Sequence, residues 1–392
     1  MTNSERAAHA AELSIAVERI ASEIARAAAV DVDARARFPQ ETLDALRKAG
    51  VLAAAVPAEL GGAGASVSEL ARACTLLAQH CASSAMVLAM HHIQVLSIAN
   101  HAAGNEQLLE YLRGLAREPR LIASVTSEVG PSGDMRRSVA AVQTRGQRFE
   151  LVKQATTVSY GQHADDLLIT ARRDPDAQPG DQVLVLAPRG GYKLSDVGAW
   201  DTLGMRGTCS PGAKVHVEGA IWQVLPIPFG QIASYTMVPT SHILWSAVWL
   251  GIATDAVGKA QTMVRSKARG EPGVVPRAAL RVAEVVRKLQ TMRDQVFTLA
   301  REYDELTSGG DREHLASLAF ALRINNLKLT ASTVVVEIVS EALAICGIAA
   351  YKNDSPFSLG RHLRYAFSAA LMINNERIQD TNASLLLVHK GN

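Results

Sequence analysis

Apolar positions recur at helical spacing over the first 120 residues and again after about residue 240, with a β-like region between. Residues 4–30 read as an Ala-rich amphipathic helix. Pro39 then opens a helix ending at Gly50, since Pro suits a first turn and Gly the residue past the last one. Pro57 and Gly61-Gly62 mark a tight loop, and Ser66 with Glu69 forms a capping box for a helix to about His80. A further helix covers Ser84–His101. From 121 to 230, short runs (Phe149–Lys153, Leu167–Ala171, Val183–Leu186, Ala213–Val217) alternate with Gly, Pro and Asp turns, and no helix-length segment separates them. That pattern predicts a compact antiparallel β domain rather than a βαβ fold. Helices return at His242–Arg269, Arg277–Thr307 and Arg312–Cys346, the last stopped by Gly347, and a final helical stretch runs to His389. The fold class expected is α+β, with a helical domain over 1–120, a β domain over 121–232 and a helical domain over 233–392.

Composition narrows the function. The 392 residues carry a formal net charge of +2 and are 48% apolar, enough for a large core in two or three domains or layers. Charges of both signs are mixed, so no nucleic-acid footprint appears. The N-terminus MTNSERAAHAAELS has no apolar signal core, and the most apolar tract, Ile243–Ala253, is too short to span a bilayer. A cytoplasmic location with no membrane partner is expected. Cys74, Cys81, Cys209 and Cys346 have neither metal-ligand nor redox spacing; Cys74 and Cys81 fit core positions in a reducing compartment, and no metal is expected. There is no Rossmann fingerprint and no P-loop.

The stretch with the most chemistry is Ile122–Ser138, IASVTSEVGPSGDMRRS. A short β-like run, Leu121–Val125, breaks into a loop dense in hydroxyls and turn formers. Such a loop can hydrogen-bond a flat polar ring or a phosphate; it can equally be a surface turn. It resembles the T-E-P-x-A-G-S-D segment of the acyl-CoA dehydrogenase family, with one residue more than the usual spacing. Four further landmarks follow the family's order. LRKAGVLAAAVPAELGGAGAS resembles its entry loop and AWDTLGMRGTCSPGAKVHVEG its K-x-G-x-R-x-S segment and following strand. AICGIAAY stands where the family has Q-x-x-G-G-x-G, and RHLRYAFSAALMINNERIQ stands at R-D-x-x-x-x-x-I-Y-E-G-T-x-x-I-Q. The resemblance covers nearly the whole chain. It implies an N-terminal helical domain, a central antiparallel β domain and a C-terminal four-helix bundle, assembled as a homotetramer or homodimer.

The resemblance also implies FAD, lying between the β domain and the C-terminal helices with a neighbouring subunit completing the site. Thr126 and Ser132 map onto flavin-loop hydroxyls. The segment Ala155–Tyr160 maps onto the family's W-I-T strand, with Thr157 at the Trp position and Ser159 at the Thr position. Arg265, with Arg269 as the alternative one turn later, maps onto the pyrophosphate-binding Arg. Ala344 and Ile348 replace the Gln and second Gly of Q-x-x-G-G, and Asn375 replaces the Thr of E-G-T.

Thioester dehydrogenation needs a carboxylate to take the α-proton. The family's usual base position holds Ile373 and its second holds Leu244, neither able to accept a proton. Glu376, three residues after Ile373, falls one helical turn on if the chain is already helical there. His91 and His92 lie in the helix lining the family's acyl pocket, where a His acts as proton donor, as base or as a packed core residue. The leading expectation is therefore a flavoenzyme acting on an acyl-CoA or acyl-carrier-protein thioester, with the electron acceptor open. The alternatives are a flavin monooxygenase or oxidase of the same fold, and a non-catalytic thioester-binding homologue.

Overall fold

The computed structural model describes residues 3–130, 134–270 and 275–388. The chain starts with α1 (Asn3–Ile20) and α2 (Arg26–Ala34), joined without a break through a π-helical turn at Ala21–Ala25, so the first helix runs past the expected end at 30. α3 (Gln40–Lys48) stops at Gly50, which takes φ +72°. α4 (Val67–Ala78) starts in the expected capping box. Ser66 Oγ accepts from the Glu69 N–H at 3.3 Å, and Glu69 Oε2 accepts from the Ser66 N–H at 2.7 Å. α5 (Ala82–Ala99) follows, then α6 (Glu106–Arg117), which the periodicity reading passed over.

Among the described residues, seven strands form two sheets. β1 (Ile122–Val125), β4 (Asp166–Arg172) and β5 (Gln182–Ala187) make one, in the order β1-β4-β5. β2 (Gln143–Arg145), β3 (Arg148–Ala155), β6 (Tyr192–Ser195) and β7 (Ala213–Ala220) make the other, in the order β2-β3-β7-β6. The sheets are not wholly antiparallel as expected. β1 runs parallel to β4, Ile122 facing Asp166, because the long excursion through β2 and β3 returns the chain in the same direction. β4 and β5 are buried almost throughout, as strands covered on both faces must be, whereas β3 alternates buried and exposed positions. The strand expected over Ala155–Tyr160 ends at Ala155. Tyr160 lies at φ +40°, its N–H held by Ser210 Oγ and its hydroxyl by the Ile122 carbonyl at 2.8 Å. A bulky residue with positive φ is strained backbone and cannot continue a strand.

The helical part opens with a single turn, α7 (Phe229–Ile232), and a π-helical turn, and then α8 (Val238–Gly270). α9 (Ala278–Ser308) and α10 (Leu318–Cys346) complete a hairpin. α10 starts at Leu318 rather than Arg312, because Ser317 caps it by accepting the Phe320 N–H. α11 (Ile348–Tyr351), α12 (Gly360–Phe367) and α13 (Asn375–Leu386) follow; the expected single last helix is broken at 368–374, where Ile373 has φ +55°.

α8 is the hub. Its residues Pro239 to Ala253 are all buried, and it packs on α4, α5, α9, α10 and α12. It meets α4 closely enough that a Cβ on Gly251 would lie 2.4 Å from the Thr75 carbonyl oxygen and 2.6 Å from Ala78 Cβ. Thr75 Oγ1 donates across that crossing to the Ala247 carbonyl at 3.0 Å. The α4 N-terminus is fixed from α9, where Asp304 accepts the Val67 and Ser68 N–H groups at 2.8 and 3.0 Å. Gly251→Ala is expected to separate α4 from α8 and cost about 1–3 kcal/mol, the range for overpacking a filled core. Equilibrium denaturation checks this, and an unchanged midpoint would show that the helices have room.

Candidate functional site

Between the β sheets and the C-terminal helices lies a cavity of about 1510 Å³. Its polar wall comes from the loop after β1 and the segment after β3 (Thr126, Ser127, Glu128, Thr157, Ser159). Its apolar wall comes from α5, α8 and α10 (Met86, Met90, Trp245, Phe320, Ile324). α12 and α13 supply the rim, including Arg364 and Arg377.

One buried carboxylate shapes the polar wall. Glu128 accepts the Ser138 hydroxyl at 2.7 Å, the Val139 N–H at 3.1 Å and the Ala140 N–H at 2.6 Å, so it ties the two arms of the loop together. Lys153 Nζ of β3 stands 3.7 Å from it and donates to the Thr170 carbonyl and hydroxyl of β4 at 2.7 and 2.8 Å. Burial pushes the Lys153 ammonium down to about 8, with the Glu128 charge opposing that shift. Ser127 closes the next link: its hydroxyl accepts the Thr157 N–H at 2.9 Å and donates to the Thr157 carbonyl at 2.8 Å. The hydroxyls of Thr126 and Ser159 line the cavity and have no hydrogen-bond partner among the described residues. Half-buried hydroxyls held on fixed backbone beside an open cavity fit the polar edge of a flavin ring. Thr126, Thr157 and Ser159 are thus brought together as the sequence predicts. Ser132 lies outside the described residues.

The loop 200–209 forms a second clamp. A Cβ on Gly204 would lie 2.1 Å from the Arg364 carbonyl oxygen, and one on Gly207 would lie 2.3 Å from Val32 Cγ1. Arg206 Nε donates to the Asp33 carbonyl at 3.0 Å, and Arg364 is paired with the buried Asp33 carboxylate. Met205 and Cys209 take positive φ. The loop is therefore wedged between α2 and α12, and it presents Trp200, Thr202 and Leu203 to the cavity.

Other candidates fall elsewhere. Glu376 is exposed and does not line the cavity. A place for Glu376 one turn beyond Ile373 requires helix between them, but Ile373 is in the left-handed region and Asn374 caps α13, accepting the Glu376 N–H at 2.9 Å. Glu376 sits in a first turn, where a carboxylate is stabilised by the helix dipole. His92 is fully buried and turned into the core, away from the cavity, with its ring 5.1 Å from that of His91. His91 is structural: Nε2–H donates to the Leu52 carbonyl at 2.7 Å and Nδ1 accepts the Ile122 N–H at 3.0 Å, joining α5 to β1. Arg265 and Arg269 lie exposed on the last turns of α8 and do not reach the cavity. Asn375 bonds Lys328 Nζ at 2.6 Å and Ser332 Oγ at 3.1 Å instead of lining the cavity.

The residue that sequence reasoning missed is His242, on the apolar wall. It is 2% exposed, and its Nδ1 lies 3.3 Å from the Ile324 carbonyl oxygen. Burial first, and then the Lys328 ammonium, push it down to about 3, so it is neutral near pH 7. Its signal was available as the single His in the apolar start of the helix, HILWSAVWL.

Residues 8–119 match the family model for the acyl-CoA dehydrogenase N-terminal domain. A Bacillus subtilis protein named as an acyl-CoA dehydrogenase, YdbM, is 25% identical over 351 residues, covering 87% of each chain. Among solved structures, the FMN-bound dibenzothiophene monooxygenase TdsC of Paenibacillus sp. A11-2 aligns at a TM-score of 0.79 with 23% identity, covering 96% of this chain and 98% of that one. Butyryl-CoA dehydrogenase of Megasphaera elsdenii aligns at 0.82 with 18% identity, covering 99% of both. One fold therefore carries both chemistries.

The adjacent buried histidines His91 and His92 make stability depend on pH. Burial lowers His91 to about 4 and His92 well below the ordinary 6.5. The unfolded chain takes up protons at both below pH 6.5 while the fold does not, so stability is full above that pH and is lost as pH falls toward 4. Each group contributes a slope of about 1.4 kcal/mol per pH unit inside its window. Neither His92 nitrogen has a partner among the described residues, and an unpartnered buried polar group costs about 1–3 kcal/mol. His92→Leu is expected to be at least as stable as the parent at pH 7 and to lose about one proton from the slope between pH 6.5 and 4.5. Denaturant midpoints across that range are the check, and an unchanged slope counts against the buried, neutral ring.

Proposed function

The chain belongs to the acyl-CoA dehydrogenase family, and we propose that it is a flavin-dependent monooxygenase or oxidase rather than a thioester desaturase. The observation that carries this reading is the state of the cavity's carboxylates. Three line it among the described residues: Glu128, Asp134 and Asp380. Glu128 is committed to three hydrogen bonds. Asp134 is paired with Arg136 at 3.0 Å, and that guanidinium together with the Arg136 N–H keeps it below the ordinary carboxylate range despite partial burial. Asp380 is exposed on α13. The family's two base positions hold Ile373 and Leu244. Among the described residues, no uncommitted and buried carboxylate lines the cavity to take an α-proton in the manner of the family's base, whereas reaction of a reduced flavin with dioxygen needs none.

The cofactor proposed is a flavin, which when bound supplies two-electron transfer and reaction with dioxygen. Thr126, Thr157 and Ser159 would hold the polar edge of its ring, Trp200 and Phe229 would exclude water, and Arg377 would lie near a phosphate. Arg265 and Arg269 do not line this cavity, so the flavin's phosphate end would rest on other residues; FMN needs fewer such contacts than FAD and is the form proposed.

Acyl thioester dehydrogenation remains the second reading, favoured by the similarity to YdbM over most of both chains. One experiment separates the two. Flavin-reconstituted protein is mixed anaerobically with a series of acyl-CoA and acyl-carrier-protein thioesters, and separately reduced chemically and mixed with oxygen. The expected result is no bleaching by any thioester and rapid, complete reoxidation by oxygen. Bleaching by a thioester at rates on the order of 1 s⁻¹ or more, the range of ordinary turnover, would overturn the proposal.

We also propose a homo-oligomer, a tetramer or a dimer. Less than half of the apolar length of α10 is buried within one chain, and Ile348, Tyr351 and Leu371 are 70–76% exposed. Sedimentation of flavin-loaded protein is expected to give a dimer or tetramer; a monodisperse monomer that holds flavin would refute this.

A further inference from the structure

The apolar end of the cavity is walled by Met90 of α5, His242 and Trp245 of α8, and Phe320 and Ile324 of α10. Trp245 is fixed there, its indole N–H donating to Met90 Sδ at 3.1 Å, so it offers a rigid flat face. Within this group only His242 carries a side-chain nitrogen without a hydrogen-bond partner among the described residues. The Ile324 carbonyl beside its Nδ1 can only accept, so Nδ1 carries the proton and Nε2 carries the lone pair. Nε2 has no partner among the described residues, although the ring is 2% exposed and sits on the cavity wall. A second neutral acceptor stands in the same wall. Asn325 donates its amide to Asn382 Oδ1 at 2.8 Å, which leaves its own carbonyl oxygen without a described partner.

An acyl tail offers only C–H groups and would leave Nε2 unpaired in hydrocarbon surroundings, at the cost of a buried unsatisfied acceptor. A cation would sit badly beside the Lys328 ammonium, whose charge already acts on His242. We infer that this end of the cavity takes a neutral aromatic or alicyclic substrate bearing one N–H or O–H group, and that His242 Nε2 accepts that hydrogen. His242 is then a specificity-determining residue. The inference rests on the oxygen-dependent reading above and names its substrate class.

The test uses matched probes that differ by one methyl group: indole against 1-methylindole, and 2-naphthol against 2-methoxynaphthalene. Each is titrated into the flavin-loaded protein by calorimetry, and turnover is followed as formation of oxygenated product, by mass, with supplied reduced flavin and oxygen. The N–H and O–H members are expected to bind about tenfold or more tightly than their methylated partners, because a site built around a buried acceptor rejects a ligand that cannot pair with it. His242→Leu should bring the ratio below about threefold, and His242→Gln, which keeps an acceptor, should restore most of it. Equal binding within each pair by the parent protein, a ratio unchanged in His242→Leu, or no binding of any probe would overturn the inference. Discrimination without oxygen-dependent turnover would overturn the oxygen-dependent reading and leave the role of His242 standing. Oxygen-dependent turnover without discrimination would do the reverse.

Discussion

The cavity wall depends on a carboxylate and an ammonium buried together. Removing charges from water costs several kcal/mol per ion unless each finds partners. Glu128 and Lys153 are both almost fully buried, and each is answered: Glu128 by a hydroxyl and two backbone N–H groups, Lys153 by the Thr170 carbonyl and hydroxyl. The pair and its partners come from the loop after β1, from β3, which carries Lys153, and from β4. Satisfying the pair therefore locks the loop to both sheets at once, and Thr126 and Ser127 are carried to the cavity by that lock. A carboxylate so engaged is a poor base, so the group that builds the wall is removed from the chemistry.

The helical side obeys a different constraint, close packing around α8. Gly251 and the Thr75 to Ala247 hydrogen bond bring α4 within backbone contact, and the apolar half of α8 is then enclosed on every side. His242 and Trp245 lie at the end of that enclosed stretch. Their positions follow from helix packing, which makes the apolar end of the cavity a rigid surface and keeps the His242 ring neutral.

Chain direction at two strained points decides where functional groups land. β3 ends at Ala155, and the chain turns at Tyr160, which has positive φ, leaving Thr157 and Ser159 off the strand and on the cavity lining. Ile373 with positive φ breaks the last helix and turns Glu376 out to solvent. Strain of this kind persists where surrounding contacts over-determine it, here the Ser210 and Ile122 bonds to Tyr160 and the Lys328 Nζ bond to the Ile373 carbonyl.

What the sequence determined by itself was local and periodic. Helix starts with side-chain caps, such as Ser66 with Glu69, and stops at Gly50 and Gly347 were legible because they are set by neighbours a few residues away. The order of helices, strands and helices, and the hydroxyl-rich loop beginning at Thr126, were legible for the same reason, and with them the family. Tertiary structure decided which side chains face the cavity. The parallel pairing of β1 with β4 needs partners more than 40 residues apart. Glu376 and His92 fit by spacing, yet a break in the helix and the burial of α5 took them away from the site. His242 reaches it because three helices, α5, α8 and α10, converge there, and no count along one helix can express that convergence.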